Sequence, residues 1–217
     1  MKMIARRVIF WADAFADTTT LRCVRSSADV RHGPSARAGL DTQLLFGERF
    51  EVLEEMGDYA FGQARRDGYV GHVRLADLGG PEALPTHRVR AARTYGFMEP
   101  DLRAEITGLY SMNALVTVLE PGERFVRTDA GFIFEGHLAP IGMFEVDPAE
   151  VAERFLGAPY LWGGRESLGL DCSGLVQQAL EACGRACPRD ADQQADLGRP
   201  LGQGEPRRGD LVTWTGH

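Results

Sequence analysis

The feature that most constrains this 217-residue chain is a glycine-rich approach to one cysteine. Pro159-Tyr160-Leu161-Trp162-Gly163-Gly164 leads to Asp171-Cys172-Ser173-Gly174, after which the pattern becomes helical. Leu175, Val176, Ala179, Leu180 and Cys183 recur on one helical face, with Gln177, Gln178 and Glu181 on the other. Gly184 stands where a helix C-cap needs positive φ, and Gly163-Gly164 ask for positive φ or a close backbone approach. The spacing puts Cys172 in the first helical turn. Unpaired N–H groups and the helix dipole there favour a thiolate, and the Cys172 amide is placed to donate to an oxyanion.

A thiolate nucleophile needs a base. Arg208-Gly209-Asp210-Leu211-Val212-Thr213-Trp214-Thr215-Gly216-His217 reads as a turn, a short apolar strand and a histidine. A helix-mounted cysteine followed by a strand-mounted histidine is an arrangement for nucleophilic thiol catalysis, with Cys172 attacking and His217 moving the proton. Asp171 reads from its position as a helix-capping carboxylate, since a negative charge beside Cys172 does nothing to help ionise it. Tyr160 reads by itself as a core aromatic beside Trp162. Arg165 reads as a solvated loop arginine, with a contact to a substrate carboxylate as the second reading.

Upstream of this segment the pattern is β-rich. Phe50-Glu51-Val52-Leu53 and Tyr59-Ala60-Phe61 are short strand signals, with Asp67-Gly68 as a hairpin turn before Tyr69-Val70. Gly79-Gly80-Pro81 and Leu84-Pro85 read as a linker. The rhythm then repeats. Val116-Thr117-Val118-Leu119-Glu120 echoes the first strand, Ala130-Gly131-Phe132-Ile133 echoes the hairpin, and Gly136-His137-Leu138 echoes Ala76-Asp77-Leu78. Two small β-barrels in tandem are expected, residues 26–80 and 81–145, preceded by an unassigned arm at 1–25. Asp147-Pro148-Ala149-Glu150 carries N-cap and first-turn signals for a helix that Gly157 ends. A short helix over 189–197, capped by Asp190, and a strand over 211–214 complete the reading.

Four segments in order carry a resemblance: PYLWGG, DCSG, PRDADQQ, and RRGDLVTW with its histidine. From about residue 147 onward the chain resembles the NlpC-type (NlpC/P60) cysteine peptidases of bacterial cell-wall peptides. The β-rich half looks like the bacterial SH3-like domains that often precede them. The resemblance implies an α+β papain-like catalytic domain at 146–217. It also implies a thioester mechanism on peptidoglycan stem peptides, at the γ-D-glutamyl–L-diamino acid bond, with no cofactor. By the same resemblance, Tyr160 lines the substrate cleft, and Asp171 and Ser173 receive the free amine of the peptide. The third catalytic group, a polar residue fixing the histidine tautomer, is placed about ten positions beyond His217. The domain is therefore expected to be incomplete in these 217 residues and weakly active. Two other readings stay open: a papain-like amidase or acyltransferase with another acyl donor, and a non-catalytic wall-peptide binding module.

Composition narrows the partners. A formal charge of −7 and a pI near 5.3 argue against nucleic acid. No stretch approaches the roughly 18 apolar residues of a membrane span. The basic start Met1-Lys2-Met3-Ile4-Ala5-Arg6-Arg7 leads into an apolar run that ends at Asp13, short for a signal peptide; the expectation is a cytoplasmic protein, with a secreted or periplasmic one as the second reading. Cys23, Cys172, Cys183 and Cys187 form no disulfide framework or tetrahedral metal set, which points to reduced thiols and no metal.

Overall fold

The computed structural model describes residues 18–80, 84–201, 204 and 206–214. Sheet dominates it. The first unit contains β1 (Thr19–Cys23), β2 (Ser27–Arg31), β3 (Leu40–Leu45), β4 (Arg49–Met56), β5 (Tyr59–Ala64), β6 (Val70–Arg74) and β7 (Leu78–Gly79). They form one sheet in the order β3-β2-β6-β5-β4-β1-β7. Alternating Phe50 and Val52, with Val30, Leu44, Ala60 and Val73, turn inward to make its core. The Asp67-Gly68 hairpin joins β5 to β6, with Gly68 at φ +78° and the Asp67 carboxylate accepting from the Tyr69 amide. Strand β1 had no sequence signal of its own. It is held by antiparallel pairing to β4 and β7, because its burial depends on neighbours far along the chain.

The second unit contains β8 (His87–Val89), β9 (Arg93–Phe97), β10 (Ile106–Ser111), β11 (Leu115–Val116), β12 (Val118–Glu120), β13 (Phe125–Thr128), β14 (Gly131–Phe134) and β15 (Leu138–Pro140). They form a five-stranded sheet, β10-β9-β14-β13-β12, and a three-stranded one, β11-β8-β15. The repeat read from the sequence has a structural counterpart. In each unit a hairpin strand runs into a one-turn 3-10 helix (Leu75–Asp77 and Glu135–His137) and then a short closing strand. Gly131 answers Gly68 with φ +100°.

The third unit contains α1 (Pro148–Glu153), β16 (Arg165–Glu166), β17 (Gly169–Leu170), α2 (Cys172–Ala182) and α3 (Ala191–Gln194). Asp147 caps α1 by accepting from the Ala149 amide, and proline occupies the first turn. Residues 211–214 join no sheet among the described residues, unlike the strand expected there. The expected helix over 189–197 is the single turn of α3, and Asp190 makes no side-chain capping bond.

The units share cores. Leu45 and Phe46 of the first unit pack with Val89, Tyr110, Val116 and Ile133 of the second. Met112 of the second unit in turn joins Val151, Phe155, Leu170, Ala179 and Ala182 in the core of the third. Asn113, at φ 67°, reaches over to α2 and donates to the Gln178 carbonyl and side chain at 2.9 and 2.7 Å. One unit's side chains are thus buried in the next unit's core, and that burial favours contact between the units.

Candidate active site

Cys172 is the first residue of α2 and is exposed. Asp171 is the N-cap, with φ −94° and ψ 179°, and its Oδ1 accepts from the Gly174 amide at 2.7 Å. The Gly174 and Leu175 amides are taken by the Asp171 side chain and carbonyl, while first-turn geometry leaves the Cys172 and Ser173 amides outside the helical ladder. Donors therefore converge beside the thiol, as an oxyanion site requires.

The approach segment folds back against this corner. Leu161 donates to the Leu170 carbonyl at 3.0 Å and Leu170 to the Pro159 carbonyl at 3.1 Å, a short parallel pairing that sets Tyr160 alongside the residues leading to Cys172. Tyr160 is 65% exposed, so it stands outside the core. Its phenol is pushed up by loss of solvent, then by the neighbouring Cys172 and Asp171. The glycines meet distinct needs. Gly163 has φ +75°, and a side chain there would meet Leu40 and Asp41 of β3. At Gly164 a Cβ would lie 2.4 Å from the Gly169 carbonyl oxygen.

Asp171 carries both of its sequence readings into a crowded setting. Oδ2 accepts from the Gly163 amide at 2.8 Å and from Arg189 Nη2 at 2.6 Å, and Oδ1 accepts from Ser173 Oγ at 3.3 Å as well as from Gly174. Arg189 also donates from Nη1 to Ser173 Oγ at 2.7 Å. Its cation pairs with the Asp171 carboxylate that precedes Cys172. The structure thus brings Tyr160, Asp171, Cys172 and Ser173 together. His217 lies outside the described residues.

Sequence reasoning missed three supports of the corner. Arg189 was visible only as part of PRDADQQ, yet it binds both neighbours of the cysteine. Gln194 donates to the Ser173 carbonyl at 2.9 Å and the Pro188 carbonyl at 2.8 Å, tying the 188–194 loop to α2. Arg165 is not a solvated loop residue. It is 1% exposed and ion-paired, with Nη1 donating to Glu48 Oε2 at 2.8 Å and Nη2 to Glu48 Oε1 at 3.1 Å. Arg66 joins the same cluster through Glu48 and Glu181. Burial opposes the charge on Glu48, but Arg165 and Arg66 outweigh it and hold its carboxyl below the usual range.

The other cysteines are poor nucleophiles. Burial pushes the Cys23 and Cys187 thiols up to about 12 and raises Cys183 less far. Among the described residues no group of three or more His, Cys, Asp or Glu side chains is arranged to hold a metal.

Comparison with known proteins agrees with this geometry. Residues 157–217 match the NlpC/P60 family, and residues 30–78 match the bacterial dipeptidyl-peptidase Sh3 domain. The chain is 28% identical over 209 residues to a γ-D-glutamyl-L-lysine dipeptidyl-peptidase of Bacillus subtilis, spanning 87% of this chain and 68% of that protein. It is 33% identical over 197 residues to the Bacillus cereus protein of the same name, spanning 80% of this chain and 59% of the relative. A solved NlpC/P60 family protein from Bacillus cereus superposes with a TM-score of 0.77 at 17% identity, covering 88% of this chain and 81% of that one, which is a likeness of fold. An exposed cysteine opens a helix within the segment that matches the NlpC/P60 family and behind a segment that matches a bacterial SH3 domain, so the chain is similar to the NlpC/P60 cysteine peptidases.

Proposed function

We propose that the chain hydrolyses a peptidoglycan stem peptide at the γ-D-glutamyl–L-diamino acid bond through a thioester on Cys172. The observation that carries this reading is Cys172 itself, exposed at the N-terminus of α2. The names of the Bacillus relatives support the bond assignment. Cys172 attacks the carbonyl, the first-turn amides of α2 take up the developing oxyanion, and His217 takes the thiol proton and returns it to the leaving amine. Water then hydrolyses the thioester by the same route. Tyr160, Asp171 and Ser173 form the wall that receives the free amine of the peptide.

We read the architecture that goes with this function as two SH3-like barrels followed by a papain-like α+β domain. The first barrel covers 26–80 and takes in β1 as well, the second covers 81–145, and the catalytic domain begins at 146. The repeated hairpin, 3-10 turn and closing strand support the tandem. Mass spectrometry of stem tripeptide and tetrapeptide digests tests the function. Wild type should release the N-terminal L-alanyl-D-glutamate dipeptide, and Cys172→Ala should release none while keeping the wild-type melting curve. Turnover that survives in Cys172→Ala overturns the reading.

A further inference from the structure

We propose that Thr42, in the first β-unit, is a positioning residue for the Cys172 corner, acting through Arg189. The proposal rests on Cys172 being the nucleophile. Three consecutive stretches of β3 each engage one of the segments that surround Cys172. Leu40 and Asp41 lie against Gly163, so closely that a Cβ there would stand 2.8 Å from Leu40 Cγ and 3.1 Å from the Asp41 carbonyl carbon. Thr42 Oγ1 accepts from Arg189 Nε at 2.7 Å. Gln43 binds Arg165 twice, its Oε1 accepting from the backbone amide at 3.0 Å and its carbonyl accepting from Nη1 at 2.7 Å.

The middle contact is the one aimed at the chemistry. Arg189 is 3% exposed, and each of its three guanidinium nitrogens has one assigned acceptor. Nη2 holds Asp171 and Nη1 holds Ser173, the residues on either side of Cys172. Nε holds Thr42, which belongs to another unit of the fold and is 147 positions away. A planar guanidinium bound at two points can still pivot; the third point fixes its plane. Thr42 therefore fixes where the Arg189 guanidinium stands, and with it the Asp171 and Ser173 side chains that flank Cys172. The first β-unit is thereby a structural part of the reactive corner.

The test reads Cys172 directly. Iodoacetamide labelling of the full chain near neutral pH, followed by peptide mapping, gives a rate for each cysteine. Thr42→Val removes the hydroxyl at nearly constant shape. It should slow Cys172 labelling about tenfold while Cys23 and Cys187 stay unlabelled, and Thr42→Ser should restore the rate to within about twofold, in line with the cost of displacing a reactive group. A merely structural role gives the opposite pattern, because a loosened fold exposes Cys23 and Cys187 and speeds their labelling. If Thr42→Val loosens the fold in that way, Thr42→Ala, which asks less space of the core, is read by the same criteria. Wild-type labelling of Cys172 in a folded Thr42 variant overturns the proposal and leaves the peptidase reading intact. Surviving turnover in Cys172→Ala overturns the peptidase reading without touching this result.

Discussion

Replacing Arg165 by methionine isolates the buried ion cluster that joins the first unit to the cysteine helix. The side chain makes four hydrogen bonds: to the Gln43 carbonyl at 2.7 Å, to the two Glu48 oxygens at 2.8 and 3.1 Å, and to Glu181 at 3.4 Å. Methionine fills most of the volume and makes none of them. Breaking a buried pair by removing one partner costs about 3–5 kcal/mol, since the other charge stays behind. Here Arg66 still binds Glu48 and Glu181, so the lower end, about 3 kcal/mol, is expected. For a chain of this size that is a fall of roughly 6–12 °C in Tm. The assay is urea or thermal unfolding of wild type, Arg165→Met, Glu48→Gln and the double variant. The cycle should return a coupling energy of about 1–3 kcal/mol between residues 165 and 48. A loss below about 1 kcal/mol in Arg165→Met, with no coupling, would refute the reasoning that this cluster fastens the units together.

Iodoacetamide near neutral pH should label Cys172 first and leave Cys23 and Cys187 untouched in the folded protein, because burial pushes those two thiols up to about 12; peptide mapping checks it. Asp171→Asn breaks an almost fully buried ion pair with Arg189, so a stability loss of about 3 kcal/mol is expected by thermal unfolding. The same variant should lose about ten- to a hundredfold more turnover on free-amine peptides than on amine-blocked ones, the size of a charge-assisted contact, and equal losses would remove the amine from its role. Stability should also fall on acidification. The Glu48 carboxyl titrates below its ordinary 4.5, so its stabilisation is present above that pH and is lost as pH falls through the lower folded value. Glu48→Gln should flatten the pH dependence of Tm in that window.

The chemistry-bearing corner was legible because its signals are local. Capping by Asp171, the helix from Cys172, positive φ at Gly163 and Gly184, and the Asp67-Gly68 hairpin each depend on a few adjacent residues. Side chains whose partners are distant were not legible in this way. The period of α2 put Gln177, Gln178 and Glu181 on a polar face, and such a face ordinarily meets solvent. Both glutamines are instead 0% exposed. Gln177 donates to Asp67, Gln178 accepts from Asn113, and Glu181 accepts from Arg66, all in the β-units.

Sequence alone therefore determined the order of the units, the repeat in the β-rich half, and the placement of a cysteine at a helix start behind a tyrosine. Those are consequences of backbone preference and short-range periodicity, which a chain expresses wherever it folds. Only the tertiary structure decided that the polar face of α2 is a docking surface, that Arg165 is buried, and that Thr42 reaches the cysteine corner through Arg189. Buried polar groups need partners, and periodicity specifies that a face is polar without specifying whether water or another unit will satisfy it.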